Sequence, residues 1–175
     1  TKKIFNRTFM EGDRFTFQVL KTKVGETGTE TQEVVIVPEA GEETAEGIFT
    51  DTYDLNDLDS GTATFIYTIT ENPSNLEGIH DSEAVYVVTV TVTDNRKGEL
   101  LTEVTVNADG REGALVDGNG NPIPLDEAVV FTNYYEAEGA LQLYAEKTLS
   151  PMALEESTFD GLFSFTIRRT DGKYE

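Results

Sequence analysis

Four residues stand out for the chemistry their side chains could do at the positions a strand pattern assigns them. Phe65, Tyr67 and Ile69 recur at every second position, and Glu71 continues the series, so its carboxyl should point toward a core. Asn133 is in phase with Val129, Phe131 and Tyr135, which aims its carboxamide the same way. Lys2 is in phase with Ile4, and Lys147 with Leu141, Leu143, Ala145 and Leu149. Burying a lone ammonium, carboxylate or amide costs several kcal/mol, so such groups should be paired, neutralised or consumed. The alternative is that each sits at a strand end and turns to solvent.

Other reactive constellations are poorly supplied. The chain has no cysteine, no tryptophan and a single histidine, His80, in the turn-like stretch Gly78-Ile79-His80-Asp81. Disulfides, thiolate chemistry and Cys/His zinc sites are thereby excluded, and His80 reads as a surface residue. The acidic stretches Asp51–Asp59 and Asp117–Asn121 lack the glycine and terminal glutamate offsets of an EF-hand and read as solvated loops. No metal and no cofactor is expected. A glycosidase would need a selected carboxylate pair and a sugar-stacking platform, and nothing singles these out.

The elements that must position the inward groups are strands. Phe15, Phe17 and Val19 share one face; Tyr86, Val88, Val90 and Val92 share another, with Thr89, Thr91 and Thr93 opposite. Apolar runs at Val34–Val37 and at Val129-Val130-Phe131 add two more, and a break such as Asp94-Asn95-Arg96-Lys97-Gly98 separates strand from strand. Long stretches of helical period are missing. The expected fold is all-β, an immunoglobulin-like two-sheet sandwich without its disulfide.

With 175 residues, 38% hydrophobic, there is material for one complete domain and the start of another. Lys2-Lys3-Ile4 followed by Phe15-Thr16-Phe17 recurs as Lys147-Thr148-Leu149 followed by Phe163-Ser164-Phe165. The expected organisation is a complete sandwich over 1–137 and the truncated opening strands of a second repeat over 138–175. Lys147 would then be that repeat's lysine, a free amine for want of later strands. The formal net charge of −20 opposes nucleic acid and anionic lipid as partners.

The order Lys-x-apolar, Phe-x-Phe, Tyr67-Thr68-Ile69-Thr70-Glu71, Tyr86 through Asp94, and Phe131-Thr132-Asn133-Tyr134 resembles the isopeptide-linkage repeat of Gram-positive major pilins and related cell-surface proteins. The resemblance covers roughly 1–137, and the tail resembles the repeat's opening strands. It implies a pilin-type sandwich in which a first-strand lysine joins a last-strand asparagine with help from a middle-strand glutamate. By position these are Lys2, Asn133 and Glu71, with Glu71 donating a hydrogen bond to the Asn133 carbonyl while Lys2 attacks. Lys2 is preferred over Lys3 because it keeps the spacing of Lys147-Thr148-Leu149, although Lys3 would share a face with Phe5.

The resemblance further implies a structural stalk or fibre module at the cell wall or surface of a Gram-positive bacterium. It would not turn over substrate, and its partners would be neighbouring repeats or subunits. An adhesin that binds a host protein or glycan through its loops is the other reading. No recognisable pilin motif presents a lysine for joining to the next subunit, so a repeat within a long surface protein fits as well as a covalent pilus.

Overall fold

Alternation of large apolar residues with threonine and other polar residues builds the longest strands of the protein. The computed structural model describes residues 1–108, 121, 123–140, 142, 144, 164 and 166. In chain order the strands are β1 (Lys2–Phe5), β2 (Phe15–Lys23), β3 (Thr29–Ile36), β4 (Thr44–Ala45), β5 (Thr62–Glu71), β6 (Ile79–His80), β7 (Val85–Asp94), β8 (Leu100–Ala108) and β9 (Phe131–Tyr135). A short helical turn, α1 (Leu125–Ala128), precedes β9.

The strands form two sheets. One has the order β3-β2-β5-β7-β8, antiparallel throughout; the other has the order β4-β1-β9-β6. The first and last strands, β1 and β9, are neighbours and run parallel, with Lys2 opposite Phe131 and Ile4 opposite Asn133. Strands so far apart in sequence can pair parallel, since the whole intervening chain serves as the crossover.

The core lies between the sheets. It takes Phe15, Phe17 and Val19 from β2, Ala63, Phe65 and Tyr67 from β5, and Tyr86, Val88, Val90 and Val92 from β7, packed on Ile4 and Phe131 of the smaller sheet. Phe131 is held by ring contacts with Phe17 at 4.9 Å and with Tyr86 at 5.0 Å between centroids. The Tyr86 hydroxyl donates to the Val130 carbonyl at 2.7 Å, so this buried tyrosine has a partner for its polar end and fixes where β9 begins.

The all-β sandwich expected from the sequence is the fold found. Local details differ. The Val129-Val130-Phe131 run enters a strand only at Phe131, because α1 occupies the residues just before it. His80 lies in a two-residue strand paired with β9 rather than in a plain turn, and its ring is exposed with Nε2 3.2 Å from a Glu136 carboxylate oxygen. Within Asp51–Asp59, Asp54 caps a single 3-10 turn (Leu55–Asp57), its side chain accepting from the Asn56 N–H.

The chain divides into two compact units, Thr1–Ala137 and Glu138–Glu175. Lys147, Phe163, Phe165 and the Asp117–Gly120 part of the acidic turn lie outside the described residues.

Candidate cross-linking site

Because β1 and β9 are adjacent and in parallel register, Lys2 and Asn133 share the inner face of one sheet as diagonal neighbours. Such a diagonal lies within reach of a long side chain. Glu71 comes from the other sheet. It stands opposite Phe17 at the end of β5, and the Asn72 N–H bonds the Thr16 carbonyl just beyond it, holding the strand end in place.

The three side chains meet in the core. Lys2 and Asn133 are fully buried at 0% exposure, whereas Lys3 on the opposite face of β1 is exposed. Lys2 Nζ lies 2.8 Å from Glu71 Oε1 and also donates to Oε2 at 2.8 Å, with both side chains inaccessible to solvent. Asn133 Nδ2 donates to Glu71 Oε1 at 2.9 Å, so one carboxyl group touches both the amine and the amide. The Phe15 ring lies against the amine, with Nζ 4.7 Å from its centroid.

Burial works against charge on both members of the pair. It lowers the Lys2 pKa, and the hydrogen bond and charge of Glu71 and the charge of Asp81 only partly restore it. Burial raises Glu71; Lys2 and the Asn133 hydrogen bond pull it back, while the neighbouring Asp81 carboxylate pushes it up again. The net directions bring the proton affinities of amine and carboxyl toward each other, which makes a neutral amine facing a neutral acid accessible.

Two further groups complete the surroundings of Asn133. Its Nδ2 also donates to Asp81 Oδ1 at 2.9 Å, and its Oδ1 accepts the Ser82 backbone N–H at 2.7 Å. These partners fix the orientation of the amide. Both Nδ2 hydrogens meet carboxylate oxygens and the carbonyl oxygen meets a donor, whereas a flipped amide would set its oxygen against two acceptors. Glu71 therefore faces the amide nitrogen, and the expectation that it donates to the Asn133 carbonyl is corrected: that oxygen is occupied by Ser82 N–H.

Asp81 and Ser82 escaped the sequence reading because they sit in the connection between β6 and β7, where no strand phase reports which way a side chain points. The only available signal was a short Asp-Ser pair of the kind that bonds nearby backbone N–H groups. Asp81 does this, accepting the Ser74 N–H at 2.9 Å.

The two-sheet sandwich thus buries a lysine and an asparagine against one glutamate carboxyl group, the arrangement expected of an isopeptide-bearing domain. Residues 1–136 match the model of the FctA family, the Spy0128-like isopeptide containing domain, and the chain belongs to that family. No curated protein matches it. Membership makes this an isopeptide-containing domain of the pilin or fibre type, and the family is one of Gram-positive cell-surface proteins. No helix among the described residues is long and apolar enough to cross a membrane.

Proposed function

We propose that residues 1–137 are a load-bearing module of a surface stalk or fibre, closed by a self-made amide bond between Lys2 and Asn133. The observation that carries the reading is the buried contact of Lys2 Nζ and Asn133 Nδ2 with the same Glu71 carboxyl group.

The proposed reaction begins when the Lys2 ammonium gives a proton to Glu71, a transfer that burial favours by penalising both charges. The Nζ lone pair attacks Asn133 Cγ, forming the new C–N bond, and Glu71 passes a proton to Nδ2 as the old C–N bond breaks. One of the original ammonium protons stays in the new amide, one reaches Nδ2 through Glu71, and the last leaves with the ammonia, which returns Glu71 to its starting state. Folding supplies the orientation, which in a bimolecular reaction would have to come from a chance encounter. The product has no free nucleophile left, so each chain reacts once.

Intact-mass measurement on the folded chain tests this. The expected mass is one ammonia below that of the sequence, with Glu71→Ala restoring the full mass while β structure persists in circular dichroism. A folded wild-type chain of unmodified mass overturns the cross-link, and a Glu71→Ala chain that still loses ammonia overturns the role of Glu71. A cross-linked peptide carrying Lys3 in place of Lys2 overturns the choice of lysine.

A further inference from the structure

The connection between β6 and β7 brings two groups against Asn133 that the reaction above does not use. Asp81 bridges the preceding β5–β6 connection to the amide: Oδ2 accepts the Ser74 N–H at 2.9 Å and Oδ1 accepts Asn133 Nδ2 at 2.9 Å. The next residue presents its backbone N–H to Asn133 Oδ1 at 2.7 Å. Gly78 and Ile79 tie β6, which leads into this connection, to β9, the Gly78 carbonyl accepting from Glu136 N–H at 2.9 Å and Ile79 standing opposite Tyr135.

We propose that this loop is an amide clamp for the cross-linking reaction, in which Ser82 N–H is the donor for the oxyanion that develops on Asn133 Oδ1 and Asp81 is the positioning residue that turns Nδ2 toward Glu71. The proposal rests on the cross-link reading. As Nζ adds to Cγ, negative charge collects on Oδ1, and a fixed N–H at hydrogen-bond distance stabilises it without reorganisation. Asp81 takes one Nδ2 hydrogen and leaves the other on Glu71 Oε1, so the leaving nitrogen stays beside the group that must protonate it. When the C–N bond breaks, Asp81 still holds a hydrogen of the departing ammonia and gains no proton, so the balance of the reaction is unchanged.

The charged groups beside Glu71 are Lys2 and Asp81. Removing the Asp81 charge while keeping an acceptor, as Asp81→Asn does, should move the whole pH–rate profile for ammonia loss to lower pH, because Asp81 raises the proton affinity of both Glu71 and Lys2. A residue that merely supported the fold would lower the rate without moving the profile.

The experiment follows intact mass against time in the full chain made by cell-free synthesis, at a series of pH values. We expect Asp81→Ala to lose ammonia about 100-fold more slowly than wild type, and Asp81→Asn to shift the profile to lower pH. A wild-type chain that never loses ammonia overturns the cross-link reading itself. A wild-type chain that does, with Asp81→Ala folded and equally fast, overturns the clamp. Should Asp81→Ala fail to fold, Asp81→Asn decides: an unchanged rate and an unmoved profile overturn the clamp as well.

Discussion

Lys2 and Lys21 each hold a carboxylate at 2.8 Å, yet their surroundings drive them in opposite directions. Around Lys21 burial is partial; it works to lower the pKa, but the hydrogen bond and charge of Asp51 outweigh it and the net shift is upward. Asp51 mirrors this. Partial burial would raise its carboxyl, but Lys21, the Tyr67 hydroxyl and the Thr52 N–H hold it below the ordinary carboxylate range. Both groups stay charged, and a charged ammonium has no lone pair with which to attack. Lys21 should therefore remain a free amine in peptide maps of protein whose Lys2 is linked. The folded-state pKa of Asp51 is depressed, so its contribution to stability is present above the unfolded carboxylate pKa of about 4 and fades as pH falls through the folded value. Melting temperatures of wild type and Asp51→Asn should accordingly differ at neutral pH and converge in acid, and a constant gap across that range would refute the assignment.

At the level of elements, the reactive geometry depends on how β6 and its flanking loop approach β9. Gly78 has φ +70° and a Cβ there would lie 2.5 Å from the Glu136 carbonyl oxygen and 3.0 Å from the Tyr135 ring. Only glycine combines that backbone angle with that contact. Gly78→Ala should cost about 1–3 kcal/mol in stability and slow ammonia loss by displacing Asp81 and Ser82 from the amide. A variant as stable and as fast as wild type would mean that the loop is positioned by something else.

The same elements mark how far the sequence could be read. The inward aim of Lys2, Glu71 and Asn133 was legible because each extends a series of large apolar residues at a period of two, in β1, β5 and β9. The strands β4 and β6 have two residues each, too few to show any period. In β8 the edge position leaves residues 101–104 exposed and only Val106 buried, so the apolar alternation that marks a core strand is diluted. That Glu71 would meet the amide nitrogen rather than its oxygen was beyond sequence reading altogether, since it is decided by a backbone N–H of Ser82 that no side-chain pattern encodes.

Over the whole domain, the proposed bond from residue 2 to residue 133 would close nearly all of the unit Thr1–Ala137. By the chain-entropy estimate made for disulfides, such a loop contributes about 5 kcal/mol by restricting the unfolded state. For a domain of this size that corresponds to roughly 10–20 °C in Tm. The fitting reference is the Lys2→Met, Glu71→Gln double variant, which cannot link and leaves no lone buried charge. Calorimetry of the two proteins should show that gap, and equal melting temperatures would remove the stabilising role of the bond.

The side-by-side placement of β1 and β9 has a further consequence once their side chains are joined. With the proposed bond made, the chain would be a lariat: a ring running from residue 2 to residue 133, with the remainder attached as a tail. A protease that cuts once in an exposed connection within the ring, such as the turn at residues 24–28 between β2 and β3, would open the ring but release nothing, because the two termini would remain connected through the side-chain amide. Nicked protein should keep its full mass, increased by one water, under denaturing conditions, and the unlinked double variant cut at the same place should fall into two fragments. A stalk assembled from such lariats would survive damage that severs an ordinary polypeptide.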